Sequence, residues 1–165
     1  MGESAFNAMA RHILAVTDTP NARLDSRRLP EFLGLTRPFY RSPELSDLAR
    51  LESAFHAARD APEANLKSSA PLHPSVQRLQ FSTNAASIWA ALTAGEMPPP
   101  PARLDEPQEL LVWRQGVAPR FRMLGREEAA ALDAAASGEA GRIDQSQESF
   151  LRGWREAGIM SAVKS

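Results

Sequence analysis

The sequence predicts an α+β fold, with a helical lobe over residues 1–64 followed by a mixed lobe over residues 72–165 that carries a β-hairpin. Three observations point there. Apolar residues recur at helical spacing before residue 64, and the period changes to alternation within Val76–Phe81, where Leu79 and Phe81 share a face. Two further segments, Leu110–Arg114 and Arg120–Leu124, then flank a short connector that contains glycine.

In the first lobe, Phe6, Met9, Ile13 and Val16 fall on one side of a helix, which Thr17–Arg23 with Pro20 brings to an end. Asp25 and Ser26 cap a short second helix that tolerates Pro30 in its first turn, turns Leu29, Phe32 and Leu33 inward and closes at Gly34. A longer helix follows Pro43, with Leu45, Leu48, Leu51, Phe55 and Ala58 as its apolar stripe and Pro62 as its stop. Residues 65–71 form a polar connector, and the lobe boundary belongs within it.

In Val76–Phe81, Leu79 and Phe81 share one face while Arg78 and Gln80 take the other, so this segment is a strand. Ser82, Thr83 and Asn84 are cap candidates for a helix that buries Ile88, Trp89 and Leu92 and ends at Gly95. Pro98–Pro101 is a stiff extended linker. Leu110–Arg114 and Arg120–Leu124 pair across Gln115–Ala118, giving a hairpin with a polar, exposed tip. Gly125–Glu128 opens an alanine-rich helix with acids near the positive end of its dipole, and Gly138 terminates it. The last helix starts at an Asp144/Gln147 capping box, buries Phe150, Leu151 and Trp154, and stops at Gly158. Strand, helix, hairpin, helix, helix is an order shared by winged-helix-like folds and by small peptide-recognition domains.

Bulk properties narrow the chemistry. A chain of 165 residues can bury a core, and its net charge of −1, with both signs intermixed, sets up no field toward nucleic acid or anionic lipid. The absence of cysteine removes disulfides, thiolate metal sites and cysteine nucleophiles together. No stretch of 18 apolar residues occurs and no secretory signal opens the chain, so a cytoplasmic protein is expected.

Enzyme signatures are missing: there is no glycine-rich phosphate loop, no zinc-protease helix motif and no nucleophile elbow. The nearest approach to a metal site is Glu52, His56 and Asp60 along one helix flank, set against the simpler reading of a solvated border beside the apolar stripe. His73, ahead of Pro74, is expected to be a structural histidine bonded to backbone. The hairpin holds the remaining candidates. Trp113 alternates with Val112 and Arg114, so its solvent face offers an aromatic anchor or a guanidinium, while Arg114, Arg120 and Arg122 make a basic cluster. Charged residues on a solvated strand face that discourage edge pairing are the competing explanation.

Leu48-Ala49-Arg50-Leu51-Glu52 with Phe55-His56-Ala57-Ala58 resembles the "LARLE" helix of a family formerly labelled DNA-binding and later described as partner proteins of multinuclear non-haem iron oxidases. The similarity continues in Leu72-His73-Pro74-Ser75-Val76, in Ile88-Trp89, and in Leu111-Val112-Trp113-Arg114 with the arginine-rich return strand, together covering residues 30–138. Upstream, the chain lacks much of the N-terminal helical domain of larger members and keeps only a counterpart of their "FL" segment at Phe32-Leu33. The resemblance implies a non-catalytic subunit that recruits a ribosomal precursor peptide for an iron oxidase acting on its cysteines. It implies no cofactor in this chain, with the iron and its ligands in the oxidase.

On that basis the expected peptide-binding residues are Leu111, Val112, Trp113, Arg114, Arg120 and Arg122, with a leader segment added as a strand and the N-terminal helices docking the oxidase. A winged-helix transcriptional regulator is the alternative. It is disfavoured because residues 85–95 carry no Lys or Arg and residues 127–138 are acidic and alanine-rich. A small metalloenzyme built on Glu52, His56 and Asp60 is the third reading.

Overall fold

The computed structural model describes residues 29–35, 39–63, 72–137 and 148–160. The element order is α1 (Leu29–Leu35), a 3-10 turn (Phe39–Arg41), α2 (Pro43–Asp60), β1 (Gln77–Thr83), α3 (Ala85–Ala94), β2 (Arg103–Gln115), β3 (Ala118–Leu124), α4 (Arg126–Ala136) and α5 (Glu148–Glu156). The fold is α+β, with one three-stranded antiparallel sheet in the order β1-β2-β3. The helix expected over Phe6–Val16, the caps at Asp25, Ser26 and Asp144, the connector at 65–71 and the stop at Gly138 lie outside the described residues.

Two compact units result, and each is drawn from two separate stretches of chain: residues 1–53 with 82–106, and residues 54–81 with 107–165. The sequence pattern had suggested consecutive lobes at 1–64 and 72–165. Periodicity marks where one element type gives way to another, which need not be where packing divides the chain.

In the first unit, Leu33, Phe39 and Ala49 are buried, with Leu29 and Leu45 packed against them. Pro30 sits in the first turn of α1 as expected, where its missing N–H costs nothing. Gly34 does not close this helix, which continues through Leu35. Asp47 of α2 is buried, accepting hydrogen bonds from the Ser82 N–H (3.2 Å) and the Thr83 hydroxyl (2.8 Å), with Arg50 beside it at 3.3 Å. These bonds fix the end of β1 to α2.

Helix α3 buries Ala85, Ala86, Ile88 and Ala91. Leu92, expected to be internal, is 56% exposed. Alanines at 85, 86 and 91 form the inward stripe of α3, so the bulkier Leu92 falls outside it. Asn84 stands at the start of α3 without a side-chain capping bond; its amide instead grips the chain ahead of β2, donating to the Pro100 carbonyl and accepting from the Ala102 N–H, both at 2.9 Å.

In the second unit, one face of the hairpin packs on α4 and α5. Its core comprises Leu111, Trp113, Leu124, Ala131, Leu132, Ala135, Trp154 and Ile159. The chain leaves α5 through Gly158, whose φ of 74° suits glycine alone at low cost, and the Ile159 N–H then reaches back to the Trp154 carbonyl at 2.8 Å. That turn delivers Ile159 to the core and lets its carbonyl accept from the His73 N–H at 2.8 Å. On the opposite hairpin face, Phe121 meets Phe55 of α2, with ring centroids 5.8 Å apart.

Strand β2 is longer than the segment Leu110–Arg114 suggested, because it also takes in Arg103–Glu109. Pro107 would ordinarily argue against a central strand. Pairing with β3 starts only at Glu109↔Leu124, so at Pro107 one side of β2 has no β3 residue opposite it.

Candidate functional site

The hairpin forms as its turn chemistry requires. Gln115 pairs with Ala118 across the two-residue loop Gly116-Val117, and Gly116 takes φ 63°, which a β-carbon would resist. From that closing pair the register runs Arg114↔Pro119, Trp113↔Arg120, Val112↔Phe121, Leu111↔Arg122, Leu110↔Met123 and Glu109↔Leu124. Cross-strand partners share a face, so Leu111, Trp113, Arg120 and Arg122 lie on the side of α4 and α5.

This geometry separates the six expected peptide-binding residues. Leu111 and Val112 are fully buried. Trp113 is 7% exposed, and its indole N–H donates to the Ala157 carbonyl at 3.0 Å. Of the two alternatives, aromatic anchor or guanidinium, the indole is the one withdrawn from solvent, because α5 and the turn after it cover that face. These three side chains build the core.

Arg114 is also occupied. Its guanidinium donates to the carbonyls of Arg59 (3.2 Å) and Ala61 (3.0 Å) and pairs with Glu63 at 2.8 Å, with its side chain only 11% exposed. It therefore satisfies carbonyls at the C-terminal end of α2, where a cation also suits the helix dipole. Arg122 lies over the Trp113 ring, 6.0 Å from its centroid, and donates through both terminal nitrogens to the carboxylate of Glu128. Glu128 is itself buried and accepts from the Trp154 indole N–H at 2.7 Å. Of the six expected residues, Arg120 is the one that is exposed as a whole residue.

Near Arg120 on β3, Met123 is 44% exposed, and Val117 projects from the hairpin tip. Counting from the hydrogen-bonded pair that closes a two-residue loop, pairs alternate, so Leu110↔Met123 is a non-hydrogen-bonded pair and the main chain of Met123 faces away from β2. Pro119 occupies the same kind of position, where its missing N–H removes nothing from the β2 ladder. In the order β1-β2-β3, β2 is central and β3 is one of the two edge strands, β1 being the other.

His73 is structural in the manner expected. Its Nδ1 accepts from the Ser75 main-chain N–H at 3.1 Å and lies 2.8 Å from the Ser75 hydroxyl, which in turn accepts from the Arg114 N–H at 3.0 Å. A hydroxyl that accepts from Arg114 has its proton to give to Nδ1, so the neutral ring carries its hydrogen on Nε2. Burial, then the charge of Arg114, pushes the His73 pKa below its ordinary 6.5, opposed by Glu63. For a base with a depressed folded pKa, the unfolded chain takes up the proton first. Stability is then full above about 6.5 and falls as pH drops toward the folded pKa. Denaturation midpoints measured across that window are expected to decline in the native chain, and His73→Asn, which keeps an acceptor, is expected to flatten the decline.

Glu52, His56 and Asp60 are all exposed on α2; the His56 Nδ1 and the Asp60 carboxylate each take a hydrogen bond from Arg59. Among the described residues no group of three His, Cys, Asp or Glu is placed to hold a metal ion, and no helix is long and apolar enough to cross a membrane. Sequence reasoning missed Ser75, Asp47 and Glu128 as organising polar groups, since each acts through partners distant in the chain. No protein-family model matches the chain, and no curated protein matches it.

Proposed function

We propose that this chain is a non-catalytic, cytoplasmic partner subunit that binds a ribosomal precursor peptide and presents its cysteine-bearing core to a multinuclear non-haem iron oxidase. The observation that carries the proposal is β3, an edge strand of the sheet, with Arg120 and Met123 in contact with solvent along it. An extended leader adds to such an edge through main-chain hydrogen bonds, while alternate side chains select its sequence. The blocks similar to the oxidase-partner family, Leu48–Glu52 through Arg114, supply the second support.

Because Leu111, Val112 and Trp113 are internal, their contribution is to hold β2 rigid beneath the edge. Arg120 is the candidate reader of acidic leader residues. No proton-transfer group is needed here; delivery alone raises the local concentration of the reacting cysteine at the oxidase iron.

The test is co-purification with a multinuclear non-haem iron oxidase and a short cysteine-bearing precursor peptide. A complex is expected, with iron assigned to the oxidase by metal analysis of each separated subunit. Met123→Pro, which removes one outward N–H, is expected to weaken precursor binding by about tenfold while oxidase binding is kept. Retention of neither partner by the native chain would end the proposal. Salt-dependent capture of duplex DNA in their place would transfer the assignment to the winged-helix regulator.

A further inference from the structure

The connector between α3 and β2 carries Met97-Pro98-Pro99-Pro100-Pro101-Ala102-Arg103. Each proline holds its own φ at about −65° and disfavours the helical region in the residue before it, so Met97–Pro100 is extended by covalent structure alone. That geometry is polyproline II, with its backbone free of internal hydrogen bonds. The far end of the run is also anchored. Asn84 donates through Nδ2 to the Pro100 carbonyl, its Oδ1 accepts from the Ala102 N–H, and its main-chain N–H donates to the Ala102 carbonyl at 3.0 Å. Both the shape and the position of the segment are therefore set before any partner arrives.

A period of about three residues per turn places Met97 and Pro100 along one edge of this run, and Arg103 opens β2 two residues beyond it. All three face solvent, and Met97 does so at 92%. The Asn84 clamp accounts for Pro100–Ala102 as a connector, but it does not account for an apolar side chain held outward at one end and a cation at the other. Two X-Pro pairs one turn apart, Met97-Pro98 and Pro100-Pro101, followed by arginine, have the form taken up by grooves between aromatic rings. Binding a preformed segment of this kind loses little conformational entropy.

We propose that residues Met97–Arg103 form a docking segment for a partner protein domain that presents an aromatic-ridged groove with an acidic group at one end. The two X-Pro pairs lie across the ridges, and Arg103 pairs with the acid, which fixes the direction of binding. Pro101 and Arg103 also border a shallow depression of about 260 Å³ with Arg41 and Glu44, so the partner meets a concave surface beyond the run. This inference is independent of peptide delivery through β3.

The experiment titrates the full chain into an isolated, isotope-labelled SH3 domain that selects Pro-x-x-Pro-x-Arg ligands, following the amide shifts of that domain. Saturable shifts confined to its aromatic groove are expected. Arg103→Glu and Pro101→Ala, both at exposed positions, are each expected to weaken binding by about tenfold with an unchanged circular dichroism spectrum. No saturable shift with the native chain, or an affinity unaltered by Arg103→Glu, would overturn the proposal.

Discussion

Replacing Glu128 with alanine is expected to destabilise the protein by about 3 kcal/mol, measured by urea denaturation at neutral pH. Glu128 lies in the first turn of α4 and is buried, yet its carboxylate serves the Arg122 guanidinium and the Trp154 indole N–H together. Alanine strands that N–H beside a fully buried ring, where no water replaces the lost acceptor. Arg122, whose side chain is 41% exposed, regains solvent and adds less to the cost. Glu128→Gln keeps an acceptor for the indole and is expected to cost only about 1–2 kcal/mol. Equal losses for the two variants would show that the indole bond is not what stabilises this core.

Asp47→Ala is expected to cost a similar amount, again about 3 kcal/mol, because two donors lose their acceptor at once. Thr83 is buried, so its hydroxyl has no solvent to turn to, and the Ser82 N–H opens with it. Faster hydrogen exchange at the Ser82 amide is the local signature. A double-mutant cycle with Thr83→Val is expected to return about 1 kcal/mol of coupling between the two side chains. Coupling near zero would assign the stabilising role of Asp47 to the Ser82 bond and the Arg50 pair.

These two carboxylates also show where the sequence stopped being informative. The strand at Val76–Phe81, the hairpin and the buried Trp154 were all legible, because alternation, a glycine-bearing connector and an amphipathic period are local signals. Helix α2 was legible as a helix, but its buried side runs through Asp47, Leu51, Ala54 and Ala58, with Leu45, Leu48 and Phe55 only partly covered. An aspartate enters a core only when donors meet it there, and those donors lie 35 and 36 residues downstream.

Arg114 and Arg122 followed the same rule. Alternation marked them as surface charges on a hairpin, whereas Arg114 caps a helix more than 50 residues away and Arg122 pairs with a buried acid. Arg120 is exposed on the same strand as Arg122. For the candidate site, the sequence located the hairpin but not which of its side chains would remain available.

Because each compact unit draws on two stretches that are apart in the chain, no single cut separates one from the other. Truncation within residues 64–71 would divide 54–63 from 72–81, although both belong to the same unit. Fragments made at that point inherit incomplete sets of segments, so assigning one partner to each half by deletion would misreport both. Point substitutions in the intact polypeptide are the proper way to map its surfaces.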